Sequence, residues 1–315
     1  MREILSTLFL SHPQGQKHKA PNGHPERGER LSAIERALGG SEFFDLKREE
    51  AKEVDLQIAR NVHSENFMQI LRDRRPIEGL AFIDGDTYIC ANSFEAISSA
   101  IGAGLQSLKM VMSGEVDNGF CAIRPPGHHA EIEKPMGFCL ANNIAIIARE
   151  AQRKYGIERV AIIDFDVHHG NGTQDIFYND KSVFYASSHQ APLFPGTGEE
   201  NETGVGNIVN CHLSANSDGV LMREAYNARI LPALRNFSPD IILISAGFDA
   251  HRLDPLAQLN WEANDFAWIT GKIMDIAEKC CNNRIVSMLE GGYDLTGLAD
   301  GVKAHVLMLK TGSFI

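Results

Sequence analysis

Four short clusters concentrate the side chains able to do chemistry: Arg124-Pro125-Pro126-Gly127-His128-His129, Asp164-Phe165-Asp166-Val167-His168-His169-Gly170-Asn171-Gly172, Ala246-Gly247-Phe248-Asp249-Ala250-His251 and Glu290-Gly291-Gly292-Tyr293. In an extended segment side chains alternate, so Asp164, Asp166 and His168 can project to one side while Phe165 and Val167 pack on the other. A carboxylate and an imidazole two residues apart can grip one divalent cation. Asp249 could supply a third ligand and leave the fourth position to water or substrate, the character of a catalytic site. Asp164 and Asp166 as mere strand-end caps fit less well, because a buried carboxylate without a partner is costly.

The Pro-Pro-Gly turn before His128 and His129 places two imidazoles rigidly. Histidine titrates near neutral pH, so one ring can take a proton from a water that a cation polarises and then protonate a leaving amine. Gly291-Gly292 implies a backbone that other residues would strain, which frees the Tyr293 phenol at a strand end. A phenol there can donate to a developing oxyanion, as amide hydrolysis requires.

Each cluster begins just past an apolar run that reads as a strand: 119–123, 159–163, 241–245 and 285–289, with a fifth at 182–186. Their near-continuous apolar character suits a parallel sheet covered on both faces. Segments of helical period at 92–112, 142–155, 221–234, 264–279 and 295–309 alternate with them, the signature of βαβ units. The expected fold class is therefore α/β, a three-layer sandwich around a central, mostly parallel sheet, forming one domain over residues 1–315. In such a sheet the loops after the carboxyl ends of the strands converge on one crevice, so motifs more than a hundred residues apart can meet. The segment 12–83 is more polar and less periodic and is expected to form a helical cap.

Composition sets outer bounds. The 315 residues are 43% hydrophobic and 23% charged, an ordinary globular balance. A formal net charge of −11 argues against a nucleic-acid partner, which calls for clustered Lys and Arg, and suits a cationic one better. Six cysteines contain no CxxC pair, and several lie in apolar runs, which implies a reducing compartment and a cytoplasmic location. Residues 1–11 lack a small-residue cleavage site and do not read as a signal peptide, and no apolar run approaches a membrane span. The sequence sets no oligomeric state.

The strings RPPGHH, DFDVHHGNGTQ, FPGTG, AGFDAH and EGGY, in this order and with His24-Pro25-Glu26-Arg27 ahead of them, resemble the histone deacetylase superfamily. The resemblance is to its class II-like members, including bacterial acetylpolyamine amidohydrolases and acetoin-utilisation proteins, and spans residues 22–306. It implies a zinc-dependent amidohydrolase that removes acetyl or other acyl groups from lysine side chains of peptides and proteins or from related amines. One Zn2+ would be held by Asp166, His168 and Asp249. His129 would be the main general base and acid, His128 its electrostatic and hydrogen-bonding partner, and Tyr293 would polarise the acyl carbonyl. Asp164 would orient His128. Asn171 would contact His129 where class I members carry Asp, which should keep the pKa of His129 lower.

The same resemblance makes Phe138 and Phe194 the walls of a narrow tunnel, Gly137 the acceptor of the substrate amide proton, Leu256 a rim residue and Asp86 a rim contact to the substrate backbone. It also implies potassium, at an inner site around Asp164, Asp166, His168 and Ser187 and an outer one around Phe177 and Val183. Leu256 stands where polyamine-preferring vertebrate members carry an acidic gatekeeper, which speaks against that preference. The alternatives are an acetylpolyamine or other small-molecule amide deacylase of the same fold and a non-catalytic scaffold for acylated ligands. Ureohydrolases share the architecture but need two manganese ions, and no second Asp follows two residues after Asp249.

Overall fold

The computed structural model describes residues 5–312, so both extreme ends of the expected 1–315 domain, including residues 1–4 of the N-terminal stretch, lie outside the described residues. The strands in chain order are β1 (Thr7–Ser11), β2 (Lys47–Glu50), β3 (Leu80–Phe82), β4 (Tyr88–Cys90), β5 (Asn118–Ala122), β6 (Val160–Asp164), β7 (Val183–Gln190), β8 (Ile208–Leu213), β9 (Ile241–Ala246) and β10 (Ile285–Leu289). Eight of them form one sheet in the order β2-β1-β5-β10-β9-β6-β7-β8, and every neighbouring pair runs parallel. β3 and β4 make a separate antiparallel hairpin.

Strands β5, β6, β9 and β10 are buried at every position, so side chains on both faces need cover. Neighbouring residues of β10 show how it is supplied. Ser287 hydrogen-bonds His305 of the helix Leu295–Thr311, while Met288 reaches the backbone of Gly104 in the helix Ser93–Met112. Successive strand residues face opposite sides, so these helices lie in different layers. The α/β sandwich is thus as expected. Asn142 caps the helix Asn143–Tyr155 by accepting from Ala145 N–H, and Gly156 ends it in the left-handed region at φ +66°.

Three departures have local causes. β1, β2 and β8 lie in or toward the sheet edges, and β2 is Lys-Arg-Glu-Glu with alternating burial, so the segment 12–83 contributes a sheet strand as well as the helices Glu29–Ala37 and Glu65–Arg74. β7 continues through Gln190, buried throughout, beyond the expected end at 186. The helix expected at 221–234 is instead Gly219–Ala225, a π-turn at Tyr226–Ile230, and Leu231–Phe237. Pro232 has no N–H to donate into the preceding turn, which breaks the regular ladder there.

The sheet order puts β5, β10, β9 and β6 side by side. Clusters 124–129, 290–293, 246–251 and 164–172 follow those four strands, so they share one crevice at the carboxyl edge.

Candidate active site

At the floor of that crevice Asp166, His168 and Asp249 converge. His168 Nδ1 lies 3.2 Å from Asp166 Oδ1 and 3.1 Å from Asp249 Oδ2, and one ligand atom from each residue falls within 4.8 Å of the others. The backbone fixes these groups: Gly291 N–H donates to Asp166 Oδ2 at 2.7 Å, His168 N–H to Asp166 Oδ1 at 2.9 Å, and Val167 N–H to Asp249 Oδ1 at 3.0 Å. A Cβ on Gly291 would come within 2.1 Å of Asp249 Oδ2, so only glycine lets this turn approach. Asp164 does not join the three. It accepts from the Tyr185 hydroxyl and faces His128 Nδ1, both at 3.0 Å, and accepts from Asp166 N–H at 3.1 Å.

Four buried carboxylates, Asp164, Asp166, Asp249 and Glu290, crowd this floor. Burial opposes charge on His128, yet Asp164, Asp166 and Glu290 push its pKa up to about 10. Burial likewise opposes charge on His168, which hydrogen bonds to Asp166 and Asp249 push up to about 10. Burial pushes Asp249 up, and Asp166 adds to that, while the two imidazoles hold Asp166 below the usual carboxylate range. Glu290 is pushed up to about 7 by burial, although it accepts from Gly127 N–H at 2.7 Å. Two carboxylates and an imidazole, open on one side and set in a field of negative charge, fit a divalent cation such as zinc.

His129 sits beside this floor, its ring centroid 4.0 Å from that of His128. Its Nδ1 meets Asn171 Oδ1 at 2.8 Å, and Asn171 Nδ2 donates to Glu131 Oε1 at 2.6 Å. The carboxylate fixes the amide orientation, so the amide oxygen faces the ring and Nδ1 must carry the hydrogen; Nε2 is then a free base. Burial first, then His128 and His168, hold the pKa of His129 well below its ordinary value.

Above lies a cavity of about 240 Å³. Phe194 stands edge-on to His129 with centroids 5.2 Å apart, and Phe138 edge-on to Tyr293 at 5.8 Å; both aromatics line the cavity. Gly137, at φ +57°, lines it too, and a side chain there would strike the His129 ring at 2.5 Å. Leu193, Leu256 and the exposed Asp86 complete the lining. Thr87 in the hairpin turn accepts from Phe138 N–H at 3.1 Å, so the segment carrying Asp86 also holds one wall. Apolar walls over a polar floor suit an uncharged amide on a slender apolar stem.

Tyr293 is 7% exposed and opens onto this cavity. Its N–H donates to Asp254 Oδ2 at 2.7 Å, and the Arg30 guanidinium lies 5.0 Å from its ring centre. Arg30 donates to the Gly292 and Glu290 carbonyls at 2.6 and 2.5 Å, and Gly292 takes the positive φ of +112° that the paired glycines imply. Burial and then Asp249 raise the phenol well above its ordinary pKa, so it stays a proton donor.

Sequence reasoning gave no role to Glu131, Tyr185, Asp254, Glu290 or Arg30. Glu131 lies beside a recognised cluster and Glu290 within one, but Arg30 is 260 residues from the carbonyl it meets and carries no local signal. Of the residues expected around potassium, Ser187 pairs in register with Asp164 and shares a hydrogen bond with His189 Nδ1 at 2.9 Å. At the outer position the carbonyls of Phe177 and Val183 converge on the side-chain amide of Asn207. His169 turns away from the cavity to Thr197 and Gln174.

A profile of the histone deacetylase domain matches residues 24–309. Histone deacetylase 10, chloroplastic, of Oryza sativa subsp. japonica is 41% identical, over 94% of this chain and 71% of the relative. A probable deacetylase of Archaeoglobus fulgidus is 38% identical over 93% of this chain and 83% of its own length. Among solved structures, the HDA15 HD domain superposes with a TM-score of 0.89 and 33% identity, covering 97% of this chain and 89% of that one.

Proposed function

Since the chain belongs to the histone deacetylase family, and so to a family of deacetylase hydrolases, we propose that it is a zinc-dependent amidohydrolase that removes acetyl or other acyl groups from lysine side chains or related amines. The observation that carries this reading is the convergence of Asp166, His168 and Asp249 beneath a cavity onto which both His129 and Tyr293 open.

Asp166, His168 and Asp249 would hold the zinc, which would supply Lewis acidity toward the attacking water and the acyl oxygen. Neutral His129 takes the proton of the water at Nε2 and returns it to the departing amine. His128, kept charged by Asp164, adds positive potential beside it. Tyr293 donates its hydroxyl to the oxygen that becomes anionic, a stabilisation worth roughly 2.7–4 kcal/mol where one such donor has been removed. Phe138 and Phe194 exclude water around the stem, and Gly137 offers its carbonyl to the substrate amide. Leu256 at the cavity, rather than an acid, favours acyl-lysine over an acylated polyamine. The six free cysteines suit a reducing compartment such as the cytoplasm.

The test is turnover of a fluorogenic acetyl-lysine peptide by zinc-loaded protein, with and without a chelator, followed by kcat/KM across acylated peptides and polyamines. Zinc-dependent hydrolysis is expected. A zinc-loaded protein that turns over nothing in the panel is a scaffold, and the proposal fails.

A further inference from the structure

Asn207 is 3% exposed and stands at the entry to β8, against the loop that joins the helix Asn171–Phe177 to β7. Its Nδ2 lies 2.9 Å from the Phe177 carbonyl oxygen, 3.0 Å from that of Asp180 and 2.8 Å from that of Val183. The amide cannot be turned the other way round, because its Oδ1 accepts from Val205 N–H at 3.1 Å. Nor can the backbone move off easily: the Asn207 carbonyl accepts from Tyr185 N–H at 2.9 Å, which pins the residue to β7.

The Phe177 and Asp180 carbonyls each also accept one backbone N–H, from Asp180 and Val183 respectively at 3.1 Å, but three carbonyl oxygens pointed at one buried spot still concentrate negative potential that a positive group among them relieves. A monovalent cation is one solution, and Phe177 and Val183 are the residues for which the family resemblance implied it. An amide NH2 is another: two N–H groups, one of them shared, serve all three acceptors. The two exclude each other, since a cation placed among the oxygens would overlap the nitrogen and face the positive ends of its N–H bonds.

We propose that Asn207 replaces the outer monovalent cation, so that the helix-to-β7 junction of this chain is closed by a side chain and carries no ion there. The substitution makes the junction independent of the ionic medium. It leaves untouched the region around Asp164 and Ser187, which Asn207 does not reach.

Rubidium is a probe for potassium that X-ray anomalous scattering detects. Crystals of the whole chain grown in rubidium chloride should show no rubidium among the carbonyls of Phe177, Asp180 and Val183, with the Asn207 amide in place. The Asn207→Gly variant should show rubidium there. In solution, replacing N-methylglucamine chloride by potassium chloride at equal ionic strength should raise the melting temperature of Asn207→Gly by several degrees more than that of the parent. A variant that folds only in potassium chloride meets the same expectation. Rubidium at the three carbonyls of the parent protein overturns the proposal, whatever the variant does. So does a folded variant that neither binds rubidium there nor gains a potassium response.

Discussion

Asp254 ties the cavity rim to the turn that carries the phenol. One oxygen of its buried carboxylate accepts from Tyr293 N–H at 2.7 Å and Asp294 N–H at 3.3 Å, and the other from Leu256 N–H at 3.1 Å. In Asp254→Asn a single oxygen remains. Whichever side it serves, the NH2 faces an N–H on the other, and at least one charge-assisted bond of roughly 1.5–3 kcal/mol is lost. The Tyr293 turn then loosens. Misplacing a catalytic group by an ångström costs on the order of a hundredfold, so kcat/KM on an acetyl-lysine peptide should fall about 10- to 100-fold, or about 1.4–2.7 kcal/mol, chiefly in kcat. Zinc content, measured in parallel, should stay that of the parent. The decisive comparison is a double-mutant cycle with Tyr293→Phe. If Asp254 acts through the phenol, adding Asp254→Asn to Tyr293→Phe should lower activity by no more than about twofold, since the shared interaction is already gone. Penalties that add in full would refute the coupling.

Tyr293→Phe alone should lower kcat by about two to three orders of magnitude with zinc retained; near-parental turnover would remove the phenol from the reaction. Asp249→Asn takes away one of three charged or imidazole donors, and metal analysis should find far less than one zinc per chain after dialysis, with activity lost in proportion. Full zinc occupancy in that variant would contradict the assignment. A fourth prediction concerns acid stability. Burial alone lowers the pKa of His305 from 6.5 to about 3. The unfolded chain therefore gains a proton there below pH 6.5 that the folded one refuses, so stability is full above that value and is lost as pH falls toward 3. At pH 5 the loss is about 2 kcal/mol. His305→Gln, which keeps polar partners for Thr270 and Ser287, should show a fall in unfolding free energy between pH 7.5 and 5 that is smaller than the parent's by that amount, and equal falls would refute the argument.

How far the sequence could be read follows from where each residue gets its constraints. β5, β6, β9 and β10 lie inside the sheet, so every side chain must be apolar or paired, and the runs stand out. The Asp, His and Gly clusters after them are conspicuous for the same reason: polar groups following a fully buried strand need a purpose. β2 is the edge strand and pairs only with β1, and its residues are half-buried or exposed, so Lys-Arg-Glu-Glu serves as well as any apolar run and leaves no signal. Within the site, partners two or three residues from a cluster were within reach of inspection, whereas Arg30 against Glu290 and Asp254 against Tyr293 depend on how layers and loops meet. Asn207 was hidden twice over. It precedes an edge strand without a strong pattern, and an asparagine declares nothing until its acceptors are in place.

The pairing of Asn171 with His129, rather than an acid, follows from the charge already present. His128 has Asp164, Asp166 and Glu290 around it and is held protonated. A carboxylate at position 171 would touch His129 in the same way and would also lie against Glu131, which now accepts from the Asn171 amide at 2.6 Å. The proton affinity of His129 would then rise toward that of His128, and the two rings would differ less. The amide instead passes orientation without charge: it fixes the hydrogen on Nδ1 of His129, while Glu131 stays one residue removed. Two imidazoles 4.0 Å apart are thereby driven in opposite directions, one cationic and one neutral. Separating the pKa values of adjacent groups is how a site assigns an electrostatic role to one and a proton-transfer role to the other, and here the assignment rests on which of the two histidines faces a carboxylate directly.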